Sequence, residues 1–137
     1  MTSTTLARSY FEKARKRIRA LQALFDDEGY SDVIREAQEL VELVLKGMLR
    51  FVGVEPPKQH DVGRLLVDHR DRLPERVSAA ADRLADISHR LRKEREFAFY
   101  GDADFIPTEE YTRDDAQGAL DDARFALSLV DEFPAEP

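Results

Sequence analysis

The sequence predicts an all-α protein, an up-down helical bundle of four long or medium helices plus one short one. Three observations predict it. Apolar residues recur three and four positions apart through most of the chain, which marks one face of an α-helix. No stretch alternates apolar and polar residues with the period of two that a half-buried strand needs. Glycine and proline punctuation falls at a few places only, so the connections are mostly short and sequential helices become antiparallel neighbours. At 137 residues the natural reading is one domain spanning 1–137, with its core in about 5–133. That length buries a real core without disulfides or metals.

The first helix is expected from Thr5 to Asp26. Ala7, Phe11, Ala14, Ile18, Leu21 and Phe25 form a narrow seam, and Arg8, Lys13, Arg15, Lys16, Arg17 and Arg19 make the opposite face basic. Asp26, Asp27, Glu28 and Gly29 read as a turn. The second helix begins near Ser31 or Asp32, either of which can cap it. Tyr30, Ile34, Ala37, Val41, Val44, Met48 and Phe51 repeat the seam, and Val33, Leu40, Leu43, Leu45, Leu49 and Val52 add a second apolar set. A helix apolar round most of its circumference is central in its bundle or shares a face with a second subunit. Arg35, Glu39, Glu42, Lys46 and Arg50 are its polar strip, read as a solvated edge.

Gly53 to Pro57 breaks that helix. A short third helix is expected from His60 to Arg72, with Val62, Leu65, Leu66 and His69 on one side. Pro74 suits the first turn of a fourth, running to Tyr100. Residues 101–111 read as an ordered loop of low regularity. The last helix starts at Thr112, which forms a capping box with Asp115, and Pro134 ends it. Its seam is Ala116, Leu120, Ala123, Leu127 and Val130.

Charge is unevenly placed. Net charge is −7, yet residues 101–137 hold 11 acidic and 2 basic residues, while residues 1–100 hold 17 acidic and 19 basic. The first part can contact an anionic partner while the acidic tail repels it. Cysteine is absent, which excludes thiolate chemistry, cysteine-ligated zinc and disulfides. No apolar run approaches the length that spans a bilayer, and the N-terminus carries no signal pattern, so a cytoplasmic protein is expected. His60, His69 and His89 do not pair at helical spacing, and no glycine-rich phosphate loop or Gly-x-Ser-x-Gly element occurs. Neither a metal nor a cofactor is expected.

The candidate site is the end of the fourth helix. Its apolar stripe of Val77, Ala80, Leu84, Ile87 and Leu91 continues into Glu94 and Arg95 before Ala98, and Gly101 caps the helix. A charge on an inward face is costly unless it is paired, so this break needs a structural or a functional reason. Arg90, Arg92, Lys93 and Arg95 lie beside Phe97, Phe99 and Tyr100, and cations with aromatic rings suit phosphates and bases. The structural alternative pairs Arg92 or Arg95 with Glu94, Asp102 or an acid of the last helix.

Three stretches together resemble the HEPN domain, the "higher eukaryotes and prokaryotes nucleotide-binding" bundle. They are Ala37 to Leu40 with Lys46 to Leu49, His60 after a proline-rich turn, and Arg92 to Asp102 followed by Tyr111 to Ala116. The resemblance implies a bundle of about five helices, commonly a homodimer. It also implies nucleotide or short-RNA binding, with Arg92, Arg95, Tyr100, Lys46 and His60 as the residues placed for it. Many members partner a small nucleotidyltransferase in toxin–antitoxin-like systems, and many are metal-independent ribonucleases. The family's catalytic signature is an arginine followed, after four to six residues, by a histidine. Here Tyr100, Gly101 and Asp102 stand where a histidine would follow Arg95. Tyrosine, with a pKa of about 10, is a poor general base at neutral pH. A binding or regulatory module is therefore expected, with an endoribonuclease of variant site as the alternative, for which Arg95, Tyr100 and Asp102 are the catalytic candidates.

Overall fold

The second helix is the axis of the molecule. A computed structural model of the chain describes residues 3–56, 58, 61–103 and 105–134, and for Ser3, Glu96 and Phe99 the backbone alone. Six α-helices follow in order: α1 (Ser3–Asp26), α2 (Tyr30–Phe51), α3 (Val62–Asp68), α4 (Glu75–Phe99), α5 (Pro107–Glu110) and α6 (Arg113–Ser128). Two 3-10 turns, Arg70–Arg72 and Leu129–Glu132, extend α3 and α6. Among the described residues no strand forms; the backbones of Asp102 and Phe105 pair once as an isolated bridge. No helix is long and apolar enough to cross a membrane, among the described residues.

Within α2 only Asp32 is exposed. Leu40, Leu45, Met48 and Leu49 are fully buried. The helix packs against α1, α4 and α6 at once, so its double apolar pattern is satisfied inside one chain. The polar strip expected to be a solvated edge is instead half-buried and largely paired. Arg17 of α1 donates to Glu36 at 2.8 Å, Arg95 of α4 to Glu39 at 2.6 Å, and Gln38 to Glu42 at 3.2 Å. With neighbours on three sides, α2 has no fully wet face left.

The α1–α2 turn forms where expected, but α2 is not capped by Ser31 or Asp32. Gly29 N donates to Leu24 O and Glu28 N to Phe25 O, the paired bonds of a Schellman ending. The left-handed position falls on Glu28, with φ of 62°, and not on the glycine. Gly29 is the N-cap of α2, whose start has no side-chain cap. Ser31, an expected cap, is buried. The expected third helix is shorter than its pattern. Asp61 caps it by accepting from Gly63 N and Arg64 N, and it tightens into a 3-10 turn after His69.

Phe11, Phe51 and Phe133 close one end of the bundle, and Phe25 packs on Tyr30 at the other. These contacts fix α1 and α2 as antiparallel. The last long helix runs antiparallel to α1: Arg113 lies over the Phe25 ring, Arg124 reaches Gln22, and Arg15 pairs with Asp131. Against the expectation of neighbouring sequential helices, α4 and α6 approach each other far less than either approaches α2. Three arginines seven apart on α4 reach across that gap. Arg76 pairs with Glu132 at 2.9 Å, Arg83 lies 3.6 Å over the Phe125 ring, and Arg90 pairs with Asp122 at 3.4 Å.

Gly63 shows how tightly α3 is seated. A Cβ there would stand 2.7 Å from the Ala85 backbone, which no side-chain rotation relieves. Gly63→Ala should therefore destabilise the fold by about 1–3 kcal/mol, although alanine is the better helix former. Urea unfolding at neutral pH measures this; an unchanged or raised midpoint would contradict it.

Candidate functional site

The end of α4 divides into two sides. Leu91 and Ala98 are buried, and between them the stripe is interrupted by Glu94 and Arg95. Both interrupting residues are exposed, so the break lies at the surface and not in the core. Helix geometry explains this: positions 94 and 95 flank the inward line on opposite sides, and each side chain leans out to a different neighbour. Arg95 leans to α2 and donates to Glu39 at 2.6 Å; its side chain keeps 45% of its exposure. Glu94 leans the other way and accepts from the Tyr111 hydroxyl at 2.6 Å. The partner of Arg95 is thus an acid of α2, not Glu94, Asp102 or α6. The spacing of α4 alone could not reveal it, because the two residues are 56 positions apart.

On the outer face Lys93, Phe97 and Tyr100 stand at positions i, i+4 and i+7, and all three are exposed. Tyr100 is 75% exposed and Phe97 45%. Ile106, also exposed, lies in the following loop. Phe97 packs edge-on against Phe105, and Phe105 against Tyr111. Gly101, at φ of 68°, ends the helix as expected, and the backbones of Asp102 and Phe105 exchange two hydrogen bonds. The expected irregular loop contains one helical turn, α5, started by Pro107.

The remaining candidates are scattered. Arg92 is exposed on α4, one turn before Arg95. Lys46 lies two turns along α2 from Glu39, with its ammonium 3.7 Å from Glu42. Asp102 sits in the loop bridge. His60 and the Phe99 side chain lie outside the described residues. The other two histidines do not join the site: His69 Nδ1 is 2.9 Å from Leu65 O on α3, and His89 is exposed mid-way along α4. Arg83, six residues before His89, is committed to Phe125.

The cleft side has the opposite electrostatics. Where α4 and α6 diverge they leave a cleft of about 590 Å³. Its floor is Ile34 of α2, Leu91 of α4 and Ala119 of α6. Glu94, Glu110, Asp114, Asp115 and Asp122 surround that floor, against Arg90 and Lys93. Arg90 is already held by Asp86 at 2.9 Å, the bond that most raises its pKa, and more loosely by Asp122. Burial pushes the Asp122 carboxyl up, and Arg90 only partly offsets that. Sequence reading missed this cleft, since its residues come from four separate helices and the segments between them.

The HEPN domain family model matches residues 7–133. Among solved structures, the crystal structure of TT1696 from Thermus thermophilus is 30% identical, with a TM-score of 0.68 over 92% of this chain and 96% of that one. No curated protein matches.

Tyr111 gives the site a direct optical test. Burial first, and then its bond to Glu94, raises its pKa well above that of a free tyrosine. The stability this bond contributes is fully present below about pH 10 and is lost as pH rises through the folded-state value. One of the four tyrosines should therefore ionise after the others in a spectrophotometric titration. Tyr111→Phe should abolish the late step, and Glu94→Gln should bring it earlier. A late step that survives in Tyr111→Phe would assign it to another ring.

Proposed function

Because the chain belongs to the HEPN domain family, we propose that it is a homodimeric module that binds a nucleotide or short RNA and works with a small nucleotidyltransferase partner. The observation that carries this is the outer end of α4, where exposed Phe97 and Tyr100 stand among Arg92, Lys93 and Arg95. Phosphates take charge-assisted bonds from arginine, and bases stack on exposed rings. The neighbouring cleft is acidic and repels such ligands, so the anion belongs on the outer face and on the Arg95–Glu39 side. Phe97, Tyr100 and Ile106 are the large hydrophobics left exposed among the described residues, and a second copy covering part of them would bring two basic ends together.

Glu39 sets the strength of the interaction. In the free chain it neutralises Arg95, and an incoming phosphate must replace it. Among the described residues neither histidine reaches the end of α4, which favours binding over acid–base cleavage of RNA.

Titration with nucleotides and short RNAs at two salt concentrations tests the binding. Affinity should fall with salt, and Arg95→Ala should weaken it about tenfold, the value of one charge-assisted bond of about 1.5 kcal/mol. Glu39→Gln should tighten it, because it frees Arg95 without removing any ligand contact. A Glu39→Gln protein that binds more weakly would mean that the pair is only structural. The same RNAs should remain uncut in a chelating buffer.

Assembly is tested separately. Light scattering at micromolar concentration should give twice the chain mass of 15.7 kDa. Tyr100→Glu together with Phe97→Glu should shift it toward a folded monomer. A wild-type monomer would remove the shared-site arrangement.

A further inference from the structure

Gly118 has no reason to be glycine within its own chain. It lies in the interior of α6, where glycine is less favourable than alanine. Its φ is not in the left-handed region, and a Cβ built on it would meet nothing within 4 Å. The contrast within the molecule is clear. Gly47 admits the Phe11 ring, Gly63 admits the Ala85 backbone, and Gly53 and Gly101 have φ of 83° and 68°. Gly118 instead lines the cleft between α4 and α6, beside the buried floor residue Ala119. A bare helical backbone on the wall of an open groove lets another chain approach closely.

The rest of the cleft describes what approaches. The floor is apolar, in a cleft of about 590 Å³. Five carboxylates surround it against two cations, and one of those, Arg90, is held by Asp86 and Asp122. Phe105 and Tyr111 give the wall aromatic surface, on which a lysine or arginine stem can lie.

We propose that the α4–α6 cleft is a docking groove for a basic amphipathic segment of a partner protein. An apolar anchor of that segment rests on Ile34, Leu91 and Ala119, its backbone crosses Gly118, and its lysines or arginines reach the surrounding carboxylates. Charge complementarity selects this occupant, because an acidic or nucleic-acid partner would meet net repulsion. The proposal rests on the reading that the module works with a protein partner. Gly118 and the apolar floor are separate from the nucleotide site, which uses the outer and α2 sides of α4, and Lys93 borders both.

The test uses the full-length chain and a short fluorescent helical peptide with leucines on one face and lysines and arginines on the other. Polarisation should show salt-sensitive binding to wild type. A peptide of the same composition in scrambled order should bind at least about tenfold more weakly, a difference of about 1.4 kcal/mol. Gly118→Leu should reduce binding of the ordered peptide by at least the same factor while leaving nucleotide binding unchanged. Gly118→Ala is the folding control and should raise Tm by about 3 °C. Equal binding of both peptides, or undiminished binding to Gly118→Leu, would place the contact elsewhere and overturn the proposal. So would a Gly118→Ala protein that melts earlier, since the glycine would then serve the fold. Displacement of the peptide by spermidine at matched charge would show a small-cation site instead. Self-association of wild type that Gly118→Leu abolishes would make the occupant a second copy.

Discussion

Everything in this molecule depends on one helix being dry on three sides. The span Tyr30–Phe51 has apolar residues on two seams, so no single neighbour can bury it. Three long helices must surround it, and each then needs only one narrow stripe. This is why α1, α4 and α6 read as ordinary amphipathic helices while α2 does not. It is also why the ionisable residues of α2 after Asp32 are half-buried. A lone carboxylate in that position would be costly, so Glu36, Glu39 and Glu42 each take a partner. The first two draw theirs from α1 and α4, and the third from one turn along α2.

The same constraint opens the cleft. Two helices that both rest on α2 do not have to rest on each other, and α4 and α6 do not. Long side chains span the interval from Arg76, Arg83 and Arg90, seven residues apart and so on one face of α4. Short residues, Ala119 and Gly118, stand opposite where the span ends, and there the gap stays open. Exposed ion pairs contribute little each, so the bridge acts more as a spacer than as an adhesive. The cation–aromatic contact of Arg83 with Phe125 is the most intimate of the three.

Most of the fold was legible because helical period and capping chemistry are local. The seams of α1 and α2, Pro74 before α4, Gly101 at its end and the Thr112–Asp115 capping box all appear as read. The turn at Asp26–Gly29 also forms as read, but the capping of α2 does not: Gly29 is the N-cap, and neither Ser31 nor Asp32 serves. The site was legible as a location and not as a geometry. Residue spacing marks 94 and 95 as a break in the stripe, but only the packing of α2 beside α4 determines that Arg95 meets Glu39. The cleft was invisible for the same reason, since Ile34, Leu91 and Ala119 share nothing in sequence.

The charge asymmetry of the chain acquires a meaning from this arrangement. Arg95 and Glu94 are adjacent in sequence, yet they lean to opposite sides of α4 and belong to opposite surfaces. The outer and α2 sides of the helix end are cationic and aromatic. The α6 side is acidic, because Glu110, Asp114, Asp115 and Asp122 line the cleft together with Glu94. A single helix end thereby presents a cationic, aromatic face and an acidic groove, with Lys93 on the border between them. Adjacency also puts both contacts on one turn of helix, Glu94 with Tyr111 and Arg95 with Glu39.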